Sequence, residues 1–314
     1  MALYQPPAQP GPLINPCWDP VFKAVFTKDT PQSKKALRGF LSAVLERELE
    51  VVSIAANEVP VSRLSDRQIR YDINCVLGKR EKANVEMTLF PDAREVLKLE
   101  YYLGRLFTSQ ELRGAKLSYR FLRRCYQISL LANRSIFKDG HFYHRFVYHD
   151  PLRRCNLGGR TAVITLELKK LAAPAESALG ELTKKEKWGL FFAYYAGAEN
   201  QGLIQRLAET GEDIGMAQGV IQGFTAEEAA FFHEISKEKY ELDMISHEDS
   251  AREEGRAAGY KQGLKRGMEQ GLERGMEQGL EQGRRQVIKD LLNYGMTPAQ
   301  VAGALNIPLD AVIP

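Results

Sequence analysis

The stretch IRYDINCVLG, Ile69 to Gly78, is followed after the short polar join KREK by ANVEMTLF, Ala83 to Phe90. Both runs alternate apolar and polar residues with the period of a half-buried strand, and the join is short enough for a hairpin. Residues i and i+2 of a strand share a face, so Asp72 projects with Asn74 and Glu86 with Thr88. Two carboxylates on neighbouring strands can hold one hard divalent cation such as Mg²⁺ through oxygen ligands. Such a cation activates water and neutralises charge on a phosphate. The same alternation also describes two acids on the wet face of an antiparallel sheet, and spacing alone leaves both readings open.

The surrounding segments carry more. They are DPVFKAVF at Asp19–Phe26, NEVP at Asn57–Pro60, YDINCVL at Tyr71–Leu77 and NVEM at Asn84–Met87. Further on come Tyr101, Tyr102, Gln110, Gly114 and Tyr119, then CYQISLLAN from Cys125, HFYHRFVYHD from His141 and the LELKKL run near Leu166. Taken in this order over roughly the first 170 residues, the chain resembles the Rpn family of recombination-promoting nucleases and putative transposases, built on the PD-(D/E)XK nuclease fold. The resemblance implies a metal-dependent DNA endonuclease using Mg²⁺ or another divalent cation. It implies that Asp72 and Glu86 are the metal carboxylates, with Asp19 or Glu58 as a further acid. One departure stands out. The family has Gln, and the wider superfamily Lys, two residues after the glutamate, where the side chain positions the attacking water. This chain has Thr88, short and uncharged, so Lys82, Arg94 or Lys98 becomes a candidate substitute. The alternative is a catalytically weak relative that acts as an oligomeric nucleic-acid- or protein-binding module.

Local signals outline the rest of an α/β fold, a mixed sheet flanked by helices with a long C-terminal helical tail. Asp19-Pro20 and Thr30-Pro31 each pair an N-cap acceptor with proline at the first helical position. Strands are predicted near 51–56, 69–78, 83–90, 125–132, 142–148 and 161–168, with a long helical region from about Asp92 to Arg123 and helices through 175–247. The expected organisation is a leader at 1–16, a core at 17–170, a helical extension at 171–248, a long helix at 249–286 and a cap at 287–314. Within the helical region, Arg113, Lys116, Arg120 and Arg123 recur at steps of three, four and three. On one helix those steps make a cationic stripe suited to DNA phosphates.

The tail repeats glycine every four residues from Gly255 to Gly283 among good helix formers. Each glycine costs a helix roughly 1 kcal/mol relative to alanine. A close-approaching second backbone would offset that cost, so the segment is read as a self-association helix forming a homo-oligomer. VIKDLLNYGMTPAQVAGALNIP then reads as helix, turn, helix, with Gly295 ending the first and Thr297-Pro298 opening the second. The second of these helices carries no Lys or Arg, which points to a packing cap rather than a DNA reader.

Composition bounds the partners. With 43 Lys and Arg against 40 Asp and Glu, the chain is only mildly basic, and no global electrostatic argument for nucleic acid holds. The four cysteines are scattered, with no CxxC pair, which argues against a zinc ribbon or a disulfide framework. Cys75 and Cys125 fall in apolar strands and read as core thiols. His141, His144 and His149 are spaced by three and five, which a strand does not place on one face. The Pro-rich start lacks the pattern of a signal peptide, no run of 18 apolar residues occurs, and a reducing cytoplasm is the expected setting.

Overall fold

The computed structural model describes residues 14–50, 52–55, 71–78, 81–92, 94–110, 118–175 and 178–312. Two compact units divide at Asp243 and Met244. The first begins with α1 (Asp19–Thr27) and α2 (Pro31–Val44), followed by β1 (Val52–Ile54), β2 (Ile73–Leu77), β3 (Glu81–Thr88) and α3 (Glu95–Thr108). Then come β4 (Cys125–Leu131), β5 (Tyr143–Phe146), β6 (His149–Asp150), β7 (Cys155–Asn156), β8 (Thr161–Glu167), α4 (Lys184–Tyr194), α5 (Gln201–Thr210) and α6 (Glu212–Gln222). Helix α7 (Ala226–Asn293) spans the division, and α8 (Pro298–Leu305) follows it. Among the described residues no helix is long and apolar enough to cross a membrane.

Among the described residues six strands form one mixed sheet in the order β1-β2-β3-β4-β8-β5. Strands β1, β2 and β3 pair antiparallel, β3-β4 and β4-β8 pair parallel, and β5 returns antiparallel on the β8 edge. The strand period of two sorts the two faces. One face presents Ile73, Cys75, Val85, Met87, Tyr126, Ile128, Leu130, Ile164 and Leu166 to the main core. Helices α1, α2 and α4 complete it with Phe22, Phe26, Phe40, Trp188 and Phe192, whose rings meet at 5.3–6.1 Å. Residues of α4, α5 and α6 therefore share one core with the sheet. The opposite face carries the polar residues of the same strands, and α3 closes part of it through Leu103 and Leu106 against Tyr71 and Cys125.

The predicted helix from Asp92 to Arg123 is not continuous. Helix α3 ends at Thr108, and Tyr119–Phe121 forms a separate short helical turn. The Gln110 side chain explains the break: it accepts from Arg123 N at 2.7 Å and donates to Arg123 O at 3.1 Å. In one α-helix those residues would stand about 20 Å apart along the axis. Arg120 and Arg123 thus do not belong to a stripe on α3; Arg113 and Lys116 lie outside the described residues, as does Glu58.

Thr30 caps α2 as expected, its hydroxyl accepting from Ser33 N at 3.1 Å. Asp19 does not cap α1; it is the first helical residue and its carboxylate turns elsewhere. In the second unit α7 closes on Gly295 in a left-handed conformation, and Thr297 with Gln300 forms a reciprocal capping box on α8. Val301, Ala302 and Val312 make a small core there with Ile288, Leu291 and Leu292.

Candidate active site

The polar face of the sheet has a definite register. The β2-β3 ladder ends at Ile73 opposite Val85, which brings Asp72 beside Glu86 one pair further on. The Asp72 N–H donates to Glu86 Oε1 at 3.2 Å, and the Met87 N–H donates to Asp72 Oδ2 at 3.3 Å. Each carboxyl group therefore accepts from a backbone N–H of the facing segment. Glu86 pairs with Ser129, Ser129 with Thr165, and Thr165 with His144, so one row of polar side chains crosses the sheet on this face. In the next row Asn84 Nδ2 donates to both Glu86 Oε1 and Gln127 Oε1, each at 2.9 Å. Asp72, Glu86, Asn84, Gln127, Ser129 and Thr165 are all buried. Asn84 Oδ1, Gln127 Nε2, Ser129 Oγ and Thr165 Oγ1 find no hydrogen-bond partner among the described residues. Buried polar atoms without partners are costly, and they concentrate at functional sites.

Cations from three helices converge on the acids. Lys23 of α1 lies between two of them, with Nζ 3.0 Å from Asp19 and 3.1 Å from Asp72. Lys239 of α7 approaches Asp19 at 3.4 Å. Although burial opposes ionisation, Lys239 and Lys23 hold the Asp19 carboxyl below its ordinary value. From α3, Lys98 Nζ stands 3.7 Å from Glu86 and 3.5 Å from Glu95, over the Tyr102 ring at 5.6 Å. Burial would lower the Lys98 pKa, but Glu95 and Glu86 together raise it, so the ammonium stays charged. Glu86 is pushed up to about 7, first by burial and then by the Asp72 charge, with Lys98 opposing. Two buried carboxyl groups held side by side, one pushed up by its neighbour's charge, offer the hard oxygen donors that a divalent cation takes. Mg²⁺ needs few protein oxygens because it keeps waters and takes substrate phosphate oxygens. Among the described residues no group of three or more His, Cys, Asp or Glu could hold a metal ion, and the site offers the two carboxyl groups of Asp72 and Glu86.

Thr88 occupies the position two residues after Glu86. Its hydroxyl donates to Glu95 Oε1 at 3.0 Å, so it is already engaged. Of the three substitutes considered, Lys98 alone among the described residues pairs with Glu86. Lys82 donates to Ser109 at 3.1 Å, and Arg94 pairs with Asp92 at 2.6 Å. Sequence reasoning missed Lys23, Asn84, Gln127 and Glu95. The first three left traces: Lys23 stands four residues after Asp19, and Asn84 and Gln127 interrupt apolar strands at the spacing of the polar face. Glu95 did not, because an acid in a helix's first turn is common for dipole reasons alone.

A mixed sheet with two parallel ladders, carrying paired buried acids from an antiparallel hairpin, defines the class of a nuclease-like α/β fold. The sequence model of the PD-(D/E)XK nuclease family transposases matches residues 16–251, and the chain belongs to that family. No curated protein and no solved structure matches it.

Proposed function

We infer that this chain is a divalent-metal-dependent DNA endonuclease that hydrolyses phosphodiester bonds, acting in recombination or on mobile elements within a reducing cytoplasm. The observation that carries the reading is the Asp72–Glu86 pair, buried side by side with the Lys98 ammonium 3.7 Å from Glu86. Asp72 and Glu86 would hold Mg²⁺, with Asp19 and Glu58 as further candidate acids. When bound, Mg²⁺ supplies charge neutralisation at the phosphate and lowers the pKa of an attacking water. The protein's own groups do the rest. Asn84 fixes Glu86 through Oε1, leaving Oε2 toward Lys98. Lys98 sets a fixed positive charge beside the reacting phosphate, where charge builds in the transition state. Glu95, held by Thr88, fixes Lys98 in that place. Lys23 orients Asp72 through their ion pair. Arg120 and Arg123, with Arg113 and Lys116, would grip the DNA backbone.

A second reading rests on the Thr88–Glu95 hydrogen bond, which commits the Thr88 hydroxyl proton to Glu95. On that reading the chain keeps the fold as an oligomeric nucleic-acid- or protein-binding module. Plasmid nicking by the full chain, with Mg²⁺ and with EDTA, separates the two. EDTA-sensitive nicking that Glu86→Gln abolishes supports the enzyme; DNA binding without nicking supports the module.

A further inference from the structure

A cationic surface stands at the other end of the same strands. β3, β4 and β8 run parallel, and their starts at Lys82, Cys125 and Thr161 are in register. Glu86, Ser129 and Thr165 lie four residues further along, about 13 Å away at strand rise. Two arginine-bearing segments enter the sheet at these starts. Lys82 N donates to Arg124 O at 2.9 Å, and Cys125 N donates to Arg160 O at 2.7 Å. The first segment holds Arg120, Arg123 and Arg124. The second is the connection from β5 to β8, which leaves the sheet at this end because Phe146 pairs with Val163.

That connection is an ordered projection. Within it β6 and β7 pair His149 with Asn156 and Asp150 with Cys155. Asp150 Oδ1 accepts from Leu152 N at 2.9 Å and Arg153 N at 3.1 Å, and Arg154 takes the left-handed turn position at φ 51°. Yet residues 151–160 are exposed throughout, and Leu152 and Leu157 join no core. The turn is held by its own hydrogen bonds and buries no apolar surface. What it presents is charge. Residues 119–124 and 145–160 together hold seven arginines and one aspartate, in a chain whose 43 basic residues nearly balance its 40 acids. Arg153 pairs with Asp150 at 3.2 Å, whereas Arg145, Arg154 and Arg160 make no ion pair among the described residues.

We propose that the β6-β7 hairpin and the arginine segment before β4 form a clamp for the phosphate backbone of duplex DNA. The inference rests on the nuclease reading for its choice of partner. The guanidinium fork matches phosphate oxygens in pairs, and all seven of these cations are arginine. The strand starts from which both segments emerge lie about 13 Å from the carboxylates, the length of roughly four base pairs of duplex. Contact of this kind positions the duplex without reading its sequence.

The test is binding of a fluorescent duplex by the full chain in EDTA, followed by anisotropy across a salt series. Arg154→Asn with Arg160→Gln removes two of the uncompensated charges. Asparagine is chosen at 154 because it tolerates positive φ. The pair should weaken binding about ten-fold at 0.1 M salt and lower the slope of log K against log salt by about 1.8. Lys34→Gln with Lys184→Gln, equal in charge but distant in sequence from both segments, should change neither. An unchanged slope in the arginine pair, or no duplex binding by the unmodified chain, overturns the clamp. A preference for an acidic peptide over the duplex does the same. Cleavage is scored separately with Mg²⁺. A Glu86→Gln chain that binds with the full slope but does not cut supports both readings; a chain that binds through the clamp yet never cuts sinks the nuclease reading alone.

Discussion

Glu86 is the residue whose surroundings are most open to measurement. Its carboxyl is pushed up to about 7 by burial and by Asp72, while an unfolded chain releases that proton near 4.5. Between those values the folded state binds more protons, so stability falls as pH rises from about 4.5 to about 7 and levels off above. The span corresponds to about 3.4 kcal/mol at most. Urea unfolding in EDTA at pH 5 and pH 8 should show this loss, and Glu86→Gln should remove most of it. An equal loss in the variant would mean that another group carries the titration. Asp72→Asn and Glu86→Gln should each abolish cleavage with little loss of stability, since neither empties a core. Lys98 offers a more pointed experiment. Lys98→Met should cut the rate at least a hundredfold, the scale of one lost transition-state contact. Adding Thr88→Lys to Lys98→Met should restore much of it, because position 88 shares the Glu86 face. A double variant as inactive as Lys98→Met would show that the two positions are not equivalent.

At the scale of elements, α2 and α6 pack so closely that Gly39 has no room for a side chain. A Cβ there would overlap both the carboxyl and the Cβ of Asp213. Asp213 in turn accepts from Trp188 Nε1 at 3.0 Å, and Trp188 is fully buried among Phe26, Phe40 and Phe192. Gly39→Ala should therefore destabilise the first unit by about 1–3 kcal/mol through overpacking, despite alanine's better helix propensity. A melting temperature equal to or above that of the unmodified chain would show that α6 moves aside freely. The same scale explains why α3 is shorter than the sequence predicts. Periodicity from Asp92 to Arg123 is helical throughout, and nothing local announces that Gln110 will hold Arg123. Strand positions are easier to read, because alternation is local, and the β2-β3 ladder puts Asp72 and Glu86 on the one face that the spacing assigns them.

For the whole molecule the open question is what the tail meets. Gly255 to Gly283 lie in α7 as one continuous helix, and a Cβ at any of these glycines would have nothing within 4 Å. The residues that follow them, Tyr260, Leu264, Met268, Leu272, Met276 and Leu280, are exposed at the same four-residue interval. Among the described residues nothing offsets the roughly 1 kcal/mol that each glycine costs the helix. A second copy laid along this line would offset it, and homo-oligomerisation through the tail is proposed on that ground. Replacing Gly263, Gly267, Gly271 and Gly275 with leucine should hold or raise helicity and disrupt assembly. Sedimentation of the full chain against one ending near Ser250 decides it: monomers in both cases at the same micromolar concentration end the association reading.

Legible in the residues alone were the face that Asp72 and Glu86 share, the caps at Thr30 and Thr297, and the helical tail. Each depends on contacts within a few residues or across one hairpin, where period and turn chemistry suffice. Which cations stand by the acids follows from the packing of distant helices. Lys23, Lys98 and Lys239 reach them from three helices separated by up to some two hundred residues, and no spacing rule links such positions. Tertiary structure also decided that Asp19 faces Lys23 rather than capping α1, and that Thr88 is engaged by Glu95. The arginines before β4 and β8 became one surface for the same reason. Parallel strands put their starts side by side however long the chain between them.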